Sequence, residues 1–90
     1  MERAVITVLG KDKVGIIAAV SKVLADSNVN ILDISQTLMQ DLFTMVMLTD
    51  ITGSNVTFGE LADRLDAVGR ELALQIKIQH EDIFNSMHRI

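Results

Sequence analysis

Hydrophobic side chains first recur with a period of two. Ala4, Ile6 and Val8 alternate with Val5, Thr7 and Leu9, which predicts a strand covered on both faces. The glycine-bracketed turn Gly10-Lys11-Asp12-Lys13-Val14-Gly15 follows, and then the period changes. Ile16, Ile17, Val20, Val23 and Leu24 recur at helical spacing, with Ala18, Lys22, Ala25 and Asp26 opposite them, so an amphipathic helix is expected. Ser27-Asn28-Val29-Asn30 breaks that pattern. Residues 31–39 and 43–51 read as two strands of a hairpin joined through Gln40, Asp41 and Leu42. In the second of them Phe43, Met45 and Met47 alternate with Val46 and Leu48, so one face packs on helices and the other needs cover.

Thr57 and Glu60 form a capping-box pattern ahead of a second helix, whose buried stripe is Phe58, Leu61, Ala62, Leu65, Val68 and Leu72. Glu60 with Arg64, and Asp66 with Arg70, stand four apart as acid-then-base pairs. Residues 74–79 alternate cleanly, as in a half-solvated edge strand. Ile83, Phe84, Met87 and Ile90 then return to helical spacing. The order β-α-β-β-α-β with a short terminal helix predicts an α+β, ferredoxin-like sandwich. Its four-stranded antiparallel sheet carries both helices on one face and leaves the other bare.

Ninety residues fit one domain, 1–90, with a core at 3–80 and an amphipathic tail at 81–90. A chain of this size buries only about 60–65% of its unfolded surface. Its hydrophobic content is nevertheless 49%, and no cysteine is present to staple it. The excess apolar surface points to burial against another copy, in a homodimer or tetramer. The N-terminal apolar run is short for a signal peptide and no stretch approaches a membrane span, so a cytoplasmic location and no membrane partner are expected. With 8 basic against 12 acidic residues the net charge is −4, the wrong sign for a nucleic-acid binder. Three Phe and no Trp or Tyr supply few stacking platforms, so direct nucleic-acid binding is not expected.

The ferredoxin-like fold hosts many functions, and the residues must choose among them. An RNA-recognition domain needs aromatics on its central strands, and here there is one, Phe43. A metal chaperone needs a cysteine pair in the first loop, and an acylphosphatase-like enzyme needs an arginine beside that loop; neither is present. No hydrolase, phosphate-loop or zinc-protease motif occurs, so catalysis is not expected. His80, Glu81, Asp82 and His88 carry metal-capable atoms, yet read as solvated groups near a chain end, and the five methionines read as core or adaptable interface. No metal or cofactor is expected. In the turn, Gly10 permits positive φ, and Gly15 permits close packing at a helix start whose unpaired N–H groups can take a carboxylate. Asp12 can cap that helix or meet the ammonium of an amino acid.

Gly10-Lys11-Asp12-Lys13-Val14-Gly15-Ile16-Ile17, then Val20, Val23 and Leu24, then Asn28-Val29-Asn30-Ile31, resembles the signature of ACT domains. The resemblance spans residues 3 to about 80. It is strongest to small stand-alone bacterial ACT proteins, some related to glycine-cleavage regulators, and includes the closing His80-Glu81-Asp82-Ile83-Phe84 and Met87-His88-Arg89-Ile90. It implies a non-catalytic regulatory module that binds a small ligand, an amino acid, at a subunit interface and signals to a partner protein. Carried over, Gly10, Asp12, Val14, Gly15 and Ile16 line the ligand loop, while Asn28, Asn30 and Ile31 add contacts from the start of the second strand. Val14 stands where many members have proline, which presets φ for a first helical turn. ACT domains are usually fused to an enzyme or a DNA-binding domain, and these ninety residues hold neither. The alternative expectation is a ligand-free dimerisation or protein-interaction module.

Overall fold

The computed structural model describes residues 1–87. Its elements run β1 (Arg3–Lys11), α1 (Ile16–Asp26), β2 (Asn30–Met39), β3 (Leu42–Asp50), α2 (Phe58–Leu72), β4 (Leu74–His80) and α3 (Glu81–Met87). The strands form one antiparallel sheet in the order β2-β3-β1-β4. β1 therefore lies inside the sheet, and β2 and β4 are its edges. This is the ferredoxin-like arrangement that the order of elements predicts.

Both helices cover one face. α1 buries Ile16, Val20 and Leu24, and α2 buries Leu61 and Leu65, at the four-residue spacing of a helical stripe. They close over Ala4, Ile6 and Val8 of β1 and Met45 and Met47 of β3 in one cluster. These two methionines are core residues. The capping box forms: Thr57 Oγ1 accepts the Glu60 N–H at 3.1 Å, and Glu60 Oε1 accepts the Thr57 N–H at 3.0 Å. The bonds from Thr57 hold the Glu60 carboxyl below the ordinary carboxylate range. Arg64 turns from its expected partner Glu60 and donates instead to the buried Ser27 Oγ at 3.0 Å, which ties α2 to the end of α1.

The two glycines of the first turn play the reverse of their expected roles. Gly10 lies within β1, abreast of Phe43 and Leu74, and is not at positive φ. It provides space: a Cβ there would stand 2.6 Å from Leu74 Cδ2 and 3.3 Å from the Ala73 carbonyl. Gly15 has open space around it and takes φ 95°, the left-handed region, as the residue before α1. The turn accordingly begins at Asp12. The hairpin is also tighter than expected, because Leu42 is already in β3 and only Gln40 and Asp41 link the strands.

The second sheet face is not wholly bare. α3 packs against β1 and β4, and Phe84 shares a groove with Thr7, Leu9 and Lys77 on that face. The side nearer β2 stays uncovered, with Met39 and Leu42 exposed. Residues 88–90 of the expected 81–90 tail, including His88, lie outside the described residues. Among the described residues no helix is long and apolar enough to cross a membrane.

Gly69 of α2 is buried because the helix passes close to the start of β4. A Cβ at this position would stand 2.8 Å from the Leu74 carbonyl oxygen, a backbone atom. Helix propensity alone favours alanine over glycine by about 1 kcal/mol. The collision outweighs that gain, so Gly69→Ala lowers the thermal midpoint. Gly59→Ala, in the same helix with open space around it, leaves the midpoint unchanged or raises it. Parallel melts of the two variants check the pair.

Candidate functional site

The loop from Asp12 to Gly15 is held on two flanks. The Asp12 N–H donates to the Asp41 carbonyl at 2.7 Å, which fastens the loop to the β2–β3 hairpin turn. Lys13 Nζ donates to the Leu72 carbonyl at the C-terminal end of α2. There its charge meets the negative end of the helix dipole. Lys13 is therefore a strut of the loop. Asp12 does not cap α1: Gly15 is the N-cap, no side chain caps it, and the first turn carries no acidic residue. The N–H groups of Ile16, Ile17 and Ala18 open the helix without the partner a side-chain cap supplies.

These uncapped residues line a cleft of about 350 Å³ between the start of α1 and the C-terminal half of β2. One wall is Asp12, Lys13 and Gly15 to Ala18; the other is Gln36, Thr37 and Leu38, with Phe43 at the base. The second wall follows from strand register. Leu38 pairs with Phe43, which pairs with Gly10, so these three residues stand abreast beneath the loop. β2 is an edge strand and α1 leaves its C-terminal half open, so Leu38 is 56% exposed on the helix-facing side. Ile17 in this wall is 40% exposed, and Val14 of the same loop is fully exposed. Asp12 has no side-chain partner among the described residues. The volume lies at the lower end of the roughly 300–1,000 Å³ typical of small-molecule sites.

Of the residues carried over from the family signature, Asp12, Gly15 and Ile16 line this cleft, Val14 stands fully exposed in the loop outside the lining, and Gly10 shapes the strand beneath. Asn28, Asn30 and Ile31 are not brought to it within one chain. They lie at the other end of α1, an eleven-residue helix about 16 Å long. Asn28 ends that helix. It takes φ 58°, its N–H donates to the Ala25 carbonyl at 3.1 Å, and the Val29 N–H donates to the Leu24 carbonyl at 2.9 Å. This is the Schellman pattern, with buried Leu24 and Val29 as its apolar pair. The Asn28 side chain donates to the Gly53 carbonyl at 2.7 Å. Asn30 is exposed at the first position of β2, and Ile31 is half-buried beside it.

Sequence reasoning did not find Gln36, Leu38 and Phe43. The period-two run Ile34, Gln36, Leu38 marks them as one face of a strand, but only the hairpin register brings that face under the loop. The other group of polar side chains is engaged elsewhere. His80 stacks on Phe58 with ring centroids 4.1 Å apart, and Glu81 pairs with Arg3 at 3.5 Å.

An ACT-domain family model matches residues 2–79. A UPF0237 protein of Clostridium acetobutylicum is 59% identical over 88 residues, covering 98% of this chain and 99% of the relative. The solved structure of an ACT domain protein from Streptococcus pneumoniae superposes with a TM-score of 0.79 at 41% identity, over 92% of this chain and 93% of that one. The regulatory subunit of aspartate kinase from Thermus thermophilus shares the fold, with a TM-score of 0.67 at 21% identity over 87% of this chain and 50% of its own.

Removing the Lys13 strut tests the loop geometry. Lys13→Met keeps most of the aliphatic stem and deletes the bond to Leu72. Amide exchange at Asp12 to Gly15 should accelerate several-fold, with a loss of global stability of about 1 kcal/mol or less for one half-exposed hydrogen bond. Unchanged exchange in this loop would show that the strut does not hold it.

Proposed function

The chain belongs to the ACT-domain family, whose members are regulatory, ligand-binding modules, and on that basis we propose that it binds an amino acid in the cleft between the first loop and β2. The observation that carries the reading is a pairing of opposite partners at one small cleft. The uncapped start of α1 presents N–H groups and the positive end of its dipole, and Asp12, without a side-chain partner among the described residues, presents a carboxylate beside it. An α-amino acid carries the complementary groups on one carbon. Its carboxylate meets the N–H groups of Ile16 to Ala18, and its ammonium meets Asp12. Asn30 lies at the other end of α1 and does not line this cleft within the same chain.

The same cleft opens beside the C-terminal half of the β2 edge, beyond the bulge at Ile31/Asp33. β2 carries no lysine or proline along its length, and Ile34 and Leu38 are exposed on its helix-facing side. Edge strands of this kind pair readily with another strand. In our reading a second copy adds to this edge as a homodimer and closes the cleft, so that ligand and subunit contact favour one another. The occupied dimer then presents an altered loop to a partner protein, without catalysis by the chain itself. The exposed apolar side chains of Val14, Ile17 and Leu38 favour a second reading, a ligand-free dimerisation module.

Calorimetry with each of the twenty amino acids separates the two. The ligand reading expects binding by a restricted set, weakened about tenfold or more by Asp12→Ala through loss of a charge-assisted contact. It expects light scattering to show a dimer that the bound amino acid tightens. Silence across the panel, with self-association indifferent to every amino acid, leaves the dimerisation module.

A further inference from the structure

The helix-facing side of the sheet is apolar with few exceptions, and each exception has an identifiable use but one. Thr49 Oγ1 donates to the Ala4 carbonyl at 2.8 Å, and His80 is stacked on Phe58. Gln36 has neither kind of partner among the described residues. Gln36 is exposed, and it is the polar side chain between two exposed apolar ones on that face, Ile34 at 42% and Leu38 at 56%. Gln36 faces into the cleft, across from the start of α1.

We infer that Gln36 is the specificity-determining residue of the cleft, selecting amino acids whose short side chains carry an uncharged hydrogen-bonding group, a carboxamide or a hydroxyl. The inference rests on the amino-acid reading of this cleft. With the ligand's carboxylate at the helix start and its ammonium at Asp12, its side chain extends toward β2, where Leu38 and Phe43 bound the space. A ligand that seals this space strips water from the Gln36 amide, which has donors and an acceptor to satisfy. An aliphatic side chain leaves them unmet, whereas a carboxamide satisfies both and a hydroxyl satisfies one. An acidic side chain meets Asp12 with like charge, and the ammonium of Lys13, which lines the cleft, is engaged with the Leu72 carbonyl. The roughly 350 Å³ cleft restricts the length of side chain that fits.

Matched pairs of free amino acids test this with the full chain: threonine against valine, equal in shape, and asparagine against leucine. Dissociation constants are measured by calorimetry for the unmodified chain, Gln36→Leu and Gln36→Ala, with thermal melts to confirm that the variants fold. The expected result is a preference of about tenfold for the polar member of each pair in the unmodified chain. That preference falls to near unity or inverts in Gln36→Leu, and falls in Gln36→Ala. Equal binding within the pairs, or a preference that survives both substitutions, overturns the role of Gln36 and leaves the amino-acid site standing. Absence of binding by every amino acid to the unmodified chain overturns the site and the role of Gln36 together.

Discussion

The missing side chain at Gly10 governs how closely the sheet can close at the end that carries the first loop. β1 is an inner strand, and at Gly10 it meets Phe43 of β3 on one side and Leu74 of β4 on the other. A Cβ there would displace the end of the Leu74 side chain and press on the Ala73 carbonyl, 3.3 Å away, so the backbone at the start of β4 would have to give slightly. Because β4 can approach, the Leu72 carbonyl lies within reach of Lys13. Because β3 pairs through to Lys11, the hairpin turn at Asp41 lies within reach of the Asp12 N–H. The loop is thus suspended between two elements distant in sequence, and the start of α1 inherits its position.

The two ends of α1 illustrate a division of labour. At its C-terminus the backbone groups are closed by the Schellman bonds, by Asn28 at positive φ and by the buried Leu24–Val29 pair. At its N-terminus a glycine supplies the required conformation without supplying an acceptor. A side-chain cap at an N-cap position is worth only a few tenths of a kcal/mol over glycine, and at φ 95° glycine is the residue that avoids strain, so the backbone conformation of Gly15 leaves the helix start without a side-chain acceptor. Under the proposed function, this uncapped end, beside the cleft that Asp12 lines, is the one a ligand completes.

Much of this was legible in the chain because burial imposes periodicity. The two-residue alternation around Ile6 and the helical stripe from Ile16 to Leu24 each follow from one side facing the core, so the ferredoxin-like order emerges directly. The ordered set from Gly10 to Ile17 and from Asn28 to Ile31 carried the family as well. The roles of the glycines were not legible, since a missing side chain looks the same whether it is needed for φ or for space; Gly10 and Gly15 exchanged those parts. Asn28 reads as a polar contact until its dihedral is known, although the apolar pair flanking it is visible in sequence. The wall formed by Gln36, Leu38 and Phe43 depends on a two-residue turn between β2 and β3, and one residue of slip would have turned the other face inward. The pairing of Lys13 with Leu72 spans 59 positions and has no local signature.

The most direct test of the account is to map amide chemical shifts by NMR while an amino acid that binds is titrated into the labelled protein. The account predicts that the largest changes fall on residues 12–18 and 36–43, the two walls of one cleft, with the Asp41 and Lys13 amides moving together. Changes centred on residues 28–31 and 53–55, or on the open sheet face around Thr7 and Val46, would contradict it.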